Sequence, residues 1–168
     1  VLAPTHRGHI PGASVIPDGE FSTPLGSIPI DEVIPARLLD SPRFSFHREL
    51  EEAEHSNEVQ MPFLRRRLNT FSLVSILIGT GRMSELAGIA EDIFAAIATD
   101  PRRKCIIIST DLSHFHAYDE ANRIDQAFIA TLCQFDEAAL YSSLAGGETE
   151  ACGFAPVIAG MMLARKLG

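Results

Sequence analysis

One apolar segment, residues 71–78, limits the possible folds of this chain more than any other feature. The run from Phe71 to Ile78 is mostly apolar on both of its alternating sides and contains several β-branched residues. A strand of this kind is typical of a parallel sheet that is covered by helices on both faces. Gly79 to Gly81 ends the run, and Ser84 to Thr99 then has apolar residues at helical spacing, namely Leu86, Ile89, Ala90, Ile93 and Ile97.

The same alternation of strands and helices is found along the rest of the chain. Val1 to Thr5 predicts a short strand, and Cys105 to Ser109 predicts a buried strand that ends in a polar loop. Further helices are predicted over Ile30–Leu39, Ser56–Leu68, Tyr118–Leu132, Asp136–Leu144 and Phe154–Leu167. This order predicts an α/β fold, a three-layer α/β/α sandwich with a largely parallel or mixed sheet.

Length, composition and charge narrow the class of protein. The chain has 168 residues, of which 46% are hydrophobic and 21% are charged, as in a globular domain with one core. Its net charge of −8 argues against nucleic acid binding, which needs a concentrated basic face. No apolar stretch approaches the ~20 residues of a membrane span, so a membrane partner is not expected. The oligomeric state stays open.

The three cysteines are too few and too scattered for a disulfide framework. Cys105 and Cys133 lie in apolar segments and are expected to be buried packing residues. The expected localisation is the reducing cytoplasm. The chain begins without methionine and ends directly after a predicted helix, so we expect it to be an internal piece of a longer polypeptide.

Four short polar segments lie beside the hydrophobic runs and carry residue types that bind metals and move protons. They are Thr5-His6, Glu54-His55-Ser56, Asp111-Leu112-Ser113-His114 and Ala151-Cys152-Gly153. The first and third segments directly follow predicted strands, and ligands of α/β proteins collect at the carboxyl ends of strands. The first hypothesis is therefore a metal-centred active site that these segments share.

The two histidine segments each have a second, simpler interpretation. His6 could bind a metal from its strand end, or it could be a hydrogen-bonded loop residue. His55, next to Glu54, could be a base whose ring is oriented by a carboxylate. Alternatively, this segment only caps the start of a helix, with Glu58 in the first turn.

The other two segments are open to two interpretations as well. Asp111 and His114 are three residues apart in a loop, so the aspartate could steer the histidine in proton transfer. Alternatively, Asp111 caps a helix and His114 is incidental. Cys152 lies at a predicted helix start, where the metal-binding thiolate is favoured, or it is a small buried residue.

Taken together, these segments resemble the Memo family, known as the B component of the AmmeMemoRadiSam system. The matching stretches are LAPTHRGHI (Leu2–Ile10), EHSNEVQMPFL (Glu54–Leu64), STDLSHF (Ser109–Phe115) and ACGFAP (Ala151–Pro156). Their order and rough spacing also agree with the family. The resemblance therefore covers nearly the whole chain.

The resemblance implies a fold like that of class III extradiol ring-cleavage dioxygenases, which hold non-haem Fe(II) with two histidines and one glutamate. It implies that His6 is a metal ligand and that Cys152 is a second one, at the position of that glutamate. It also implies that His55, Asp111 and His114 handle protons near the metal.

The family pattern extends beyond both ends of this chain. Its first metal histidine would precede Val1, and its last strands would follow Gly168. By this resemblance, residues 1–168 form a single Memo-like domain without those two segments. The implied cofactor is Fe(II), and a thiolate ligand also admits copper.

Two functions are compatible with this resemblance. The first is an oxidoreductase with a non-haem iron or copper site that acts on a small substrate, as a dioxygenase does. The alternative is a non-catalytic adaptor that retains the dioxygenase fold and binds a peptide. The peptide would lie in a polar cleft lined by His6, His55 and His114.

Overall fold

The computed structural model describes residues 1 to 168, and its centre is a four-stranded sheet. The strands of the molecule are β1 (Leu2–Pro4), β2 (Ala13–Val15), β3 (Glu20–Phe21), β4 (Ile28–Pro29), β5 (Phe44–Ser45) and β6 (Ile76–Ile78). The sheet has the order β1-β6-β2-β5, and β3 pairs only with β4. β1 is parallel to β6 and β2 to β5, while β2 and β6 are antiparallel. The sheet is thus mixed and mostly parallel.

Seven α-helices and one short 3₁₀ turn, Glu58–Gln60, accompany the sheet. The helices are α1 (Val33–Leu39), α2 (Arg48–Ala53), α3 (Met61–Arg67), α4 (Met83–Ala98), α5 (Tyr118–Cys133), α6 (Glu137–Ala145) and α7 (Phe154–Leu167). The six predicted helices are confirmed, although the 3₁₀ turn and α3 together replace one longer helix. α2 was not predicted. The architecture is consistent with the predicted α/β sandwich.

The main core lies between the sheet and helices α4 and α7. α7 packs against α4 and against β1. None of the seven helices combines the length and the apolar character that crossing a membrane requires. The apolar stripe predicted for α4 is confirmed, because its five members are all buried: Leu86, Ile89, Ala90, Ile93 and Ile97.

The predicted strand Cys105–Ser109 is wrong as a regular strand. Only Ile108 forms a bridge, parallel to Leu2 of β1. Two backbone hydrogen bonds support it, from Leu2 N to the Ile107 oxygen at 2.8 Å and from Ser109 N to the Leu2 oxygen at 2.9 Å. The segment therefore runs alongside β1 without a longer ladder.

The predicted burial of two cysteines is also wrong, since Cys105 and Cys133 are both exposed. Cys105 comes three residues before Ile108, the residue at which this segment is bridged to β1. The backbone at Cys105 has not yet joined the sheet. Cys133 is five residues after Phe128, a buried residue of α5. Five residues turn the helix by about 140° beyond one full turn, which directs Cys133 away from the core.

Candidate functional site

The candidate site lies where two parallel segments of backbone end. His6 comes two residues after β1, and Asp111 comes three residues after Ile108, which is bridged to β1. Because these segments run side by side in one direction, their loops leave the same edge of the sheet. The structure therefore brings the first and third polar segments of the sequence to one edge.

Serine hydroxyls attach the second polar segment to the same edge. Ser56 Oγ donates to the Pro4 carbonyl oxygen at 2.7 Å, and Ser109 Oγ donates to the Ser56 carbonyl oxygen at 2.7 Å. Both serines are buried. The loop that carries Glu54 and His55 is thus held against both backbone segments.

Glu54 is the centre of the hydrogen bonding in this loop, and its side chain is only 1% exposed. Its carboxylate accepts from the backbone N–H groups of His6, His55 (2.9 Å) and Ser56 (3.1 Å). It also lies 3.0 Å from Nδ1 of His6 and 3.2 Å from Nδ1 of His55. Burial alone would raise the pKa of Glu54, but these hydrogen bonds outweigh it and lower the pKa to about 2.

The imidazoles of His6 and His55 stack on each other beside this carboxylate. Their ring centroids are 5.1 Å apart and the ring planes differ by 27°. Ligand atoms of His6, Glu54 and His55 all lie within 4.8 Å of one another, and this is the one group of three or more such residues in the chain. The three side chains are therefore a candidate metal-binding group.

Glu51 lies one helical turn before Glu54, and its pKa is shifted in the opposite direction. Its Oε1 is buried without a hydrogen-bond partner. Burial raises the pKa of Glu51 to about 7 against a hydrogen bond from Ser14, and the negative charge of Glu54 adds to the rise. A buried carboxyl beside this site is therefore kept partly protonated near neutral pH.

We expect Glu51→Gln to stabilise the protein at pH 8 and to have little effect at pH 4. The folded pKa lies above the ordinary value of 4.5, so the free energy of unfolding falls as the pH rises from about 4.5 to 7 and stays lowered above 7. Removing the carboxyl charge should raise the free energy of unfolding by about 1–3 kcal/mol. Urea unfolding at both pH values measures the difference. Glu52→Gln, at an exposed neighbour, is the control, and equal effects of the two variants would contradict the expectation.

Cys152 forms a second group with Asp111 and His114. The Cys152 sulfur accepts a hydrogen bond from the Asp111 backbone N–H at 3.1 Å, and the Cys152 N–H donates to the Asp111 carbonyl oxygen at 3.2 Å. Nε2 of His114 is 3.5 Å from Oδ2 of Asp111. The loop after Ile108 thus holds both the thiol and the aspartate–histidine pair.

Gly153 allows this close approach of Cys152 to the loop. A Cβ atom at residue 153 would lie 2.5 Å from the Ser109 carbonyl oxygen and 2.6 Å from Cβ of Thr110. The Gly153 N–H donates to Thr110 Oγ1 at 2.9 Å. Only glycine fits here without moving the backbone.

Gly153→Ala should therefore lower the free energy of unfolding by about 2–3 kcal/mol, because the new methyl group must displace backbone. Urea unfolding measures this loss. Gly147→Ala is a suitable control, because a Cβ there meets nothing within 4 Å, although the φ of 72° still carries a conformational cost. An effect of Gly153→Ala no larger than that of the control would contradict the steric explanation.

A cleft of about 460 Å³ opens beside Cys152 and His114. Most of its lining residues are apolar, and neither lysine nor arginine is among them. Glu150 lines the cleft, and its carboxylate lies 2.9 Å from Nε2 of His116. The volume of the cleft is in the usual range for sites that bind small molecules.

The predicted site residues thus fall into two neighbouring groups. His6 and His55 meet around Glu54, while Asp111 contacts both Cys152 and His114, which line the cleft. Cys152, Asp111 and His114 do not belong to the group of mutually close ligand atoms.

Glu54 was considered in the sequence only as the neighbouring carboxylate that could orient His55, and it was not among the predicted site residues. Its burial, and its contact with His6 forty-eight residues away, are visible only in the fold.

A family model and the curated relatives of this chain point to the same protein family. A family model described as Memo-like protein matches residues 1–168. A MEMO1 family protein of Methanobrevibacter smithii is 32% identical over 173 residues, which cover 100% of this chain and 60% of that protein. A MEMO1 family protein of Thermoplasma volcanium is 29% identical over 170 residues, covering 100% of this chain and 62% of that protein. The chain thus spans about three fifths of the length of these curated relatives.

Proposed function

The chain belongs to the Memo-like protein family, and on this basis we propose that its polar edge is a metal-dependent redox site with a dioxygenase-like architecture. The observation that carries the proposal is the pair of neighbouring groups at one edge of the sheet. One group offers imidazoles around a buried carboxylate, and the other offers a thiol at the mouth of a cleft. The substrate would be a small organic molecule.

The donor atoms suit iron or copper. We propose His6 and Cys152 as metal ligands, because imidazole and thiolate are both suitable ligands for these metals. The Nδ1 atom of His6 faces Glu54, so its Nε2 is the nitrogen left to bind. A bound ion would supply the redox chemistry of the site.

Proton transfer is assigned to the remaining polar side chains. His114 lines the cleft and is close enough to Asp111 for the carboxylate to orient its ring. It can therefore accept a proton from, or donate one to, a molecule in the cleft. His55 is held by Glu54 in the same manner and would serve the His6 side of the site.

The lining of the cleft limits the substrate class. An anionic substrate would find no lysine or arginine to pair with, and it would meet the carboxylate of Glu150. The apolar walls include Leu112, Leu144 and Phe154. An uncharged molecule of about one aromatic ring, such as an unsubstituted or alkylated catechol, fits this chemistry better than a carboxylated one.

A second candidate function is a peptide-binding adaptor that retains this fold without catalysis. The side chains of Phe115 and Tyr118 favour it, since both are almost fully exposed just after His114 in the sequence. Exposed aromatic residues are frequent at protein-binding surfaces. Such an adaptor would keep its partner after His6→Ala and Cys152→Ala.

Anaerobic reconstitution of the full-length protein with Fe(II), followed by oxygen uptake with catechols, tests the redox proposal. We expect metal binding and uptake that depends on an uncharged catechol. Elemental analysis of freshly purified protein identifies the native metal. If the full-length protein neither binds metal nor consumes oxygen, the redox proposal is wrong. Affinity capture that survives both alanine substitutions would then support the adaptor.

A further inference from the structure

We infer that Glu54 is a positioning residue that fixes His6 and His55 in the same tautomer, with Nδ1 protonated and Nε2 free. The tautomer of His6 follows from the hydrogen bond of its ring to Glu54, and that of His55 from the 3.2 Å approach of its Nδ1 to the same carboxylate. Their value for metal binding and proton transfer rests on the proposed function.

Several hydrogen-bond donors surround the Glu54 carboxylate. Three of them are backbone N–H groups, from His6, His55 and Ser56, and a backbone N–H can only donate. The carboxylate is therefore held as an acceptor in a pocket that leaves its side chain 1% exposed. Any further polar atom that approaches it must also bring a proton.

Two imidazole nitrogens lie close to the Glu54 carboxylate, which acts only as an acceptor. Nδ1 of His6 is 3.0 Å from Glu54 Oε1, and Nδ1 of His55 is 3.2 Å from the same oxygen. A neutral imidazole has a single N–H, so a proton on Nδ1 leaves a lone pair on Nε2. One buried carboxylate thus sets the tautomer of both rings.

The same geometry argues against Glu54 as a metal ligand. A carboxylate offers about four lone-pair positions, and the hydrogen bonds that Glu54 accepts from His6, His55 and Ser56 number four. A metal ion bound to Glu54 would have to displace backbone donors from a buried site. The arrangement instead matches a carboxylate that orients metal-binding histidines from behind.

The free Nε2 atoms belong to the more accessible side chains of the group. The His6 side chain is 34% exposed and that of His55 is 52% exposed, in contrast to the buried carboxylate. Both Nε2 atoms are therefore available as ligands or bases. Without Glu54, each ring could take either tautomer and rotate away.

Long-range ¹H–¹⁵N NMR of the metal-free protein, with ¹⁵N-labelled histidine, tests the inference at a pH where the rings are neutral. His6→Ala and His55→Ala assign the two signals by their loss. We expect Nδ1-protonated tautomers for both residues, in contrast to the Nε2-protonated form that free histidine favours. Nε2 protonation of either ring would overturn the inference.

Glu54→Gln then tests whether the carboxylate causes the preference. We expect a measurable population of the Nε2-protonated form in this variant and a 10–100-fold weaker affinity for Co²⁺ as a probe metal. Glu58→Gln, at an exposed neighbour, should leave both unchanged. Unchanged tautomers in a folded Glu54→Gln protein would contradict the causal role.

These measurements separate the inference from the proposed function. The tautomers are read without metal, so the predicted tautomers in a protein that never binds metal would support the inference and reject the metal site. If Glu54→Gln does not fold, the measurement on the wild-type protein still tests whether both rings carry their proton on Nδ1.

Discussion

Glu54→Ala should lower the free energy of unfolding by about 3–5 kcal/mol at pH 7, the largest loss expected from a single substitution in this loop. The substitution leaves three backbone N–H groups without their acceptor, and each unpaired buried donor is destabilising. It also removes the partner of both imidazoles. Urea unfolding followed by circular dichroism measures the loss.

Glu58→Ala is the matched control, since this exposed glutamate lies four residues away. Its effect should stay within about 0.5 kcal/mol, as for most surface substitutions. A Glu54→Ala protein of near wild-type stability would show that water replaces the carboxylate, and the described hydrogen bonding would then be wrong.

The same carboxylate should make the fold sensitive to acid. The pKa of Glu54 is about 2 in the folded protein, against an ordinary value of 4.5. Its contribution to stability is thus fully present above pH 4.5 and is lost as the pH falls towards 2, by an amount on the order of 3 kcal/mol. The wild type should lose this stability over that interval, and Glu54→Ala should show a flatter dependence on pH.

Cys152→Ala should weaken metal binding by the full-length protein more than about 100-fold, which exceeds the loss typical of residues that only orient ligands. The sulfur is a soft donor, and it lies against the backbone of Asp111. Titration with Fe(II) under anaerobic conditions, or with Co²⁺ as a spectroscopic probe, measures the affinity.

Cys133→Ala is the matched control, because this cysteine is exposed and lies at the end of α5. It should bind metal as the wild type does. If Cys152→Ala also retains the wild-type affinity, the metal is held by the histidine group alone, and Cys152 is not a ligand.

The helices were the most predictable part of this fold. The apolar spacing of α4 identified its buried face, and the predicted bounds of α7, Phe154 to Leu167, agree with the structure. Local pattern was sufficient there because a helix buries residues at a fixed angular spacing. It was insufficient for Cys105–Ser109, where an apolar strand-like run forms only one bridge.

The candidate site was predictable in its residue types and only partly in its arrangement. Strand ends indicated that His6 and Asp111 leave one edge of the sheet. The contact of Glu54 with His6 could not be predicted, because it depends on how α2 and the following loop pack against β1. The separation into a histidine group and a cysteine group likewise depends on long-range packing, which a single sequence does not encode locally.

The chain of hydroxyl hydrogen bonds from Pro4 through Ser56 to Ser109 has a thermodynamic consequence. It connects the loop of the histidine pair to the backbone that leads into the cysteine loop. We therefore expect a molecule that shifts Ser109 to move the loop of the histidines as well. Linkage between two binding sites is reciprocal. If a bound metal changes the affinity of the cleft for a small molecule by some factor, the small molecule must change the affinity for the metal by the same factor. Titrating each ligand in the presence of the other would measure that coupling.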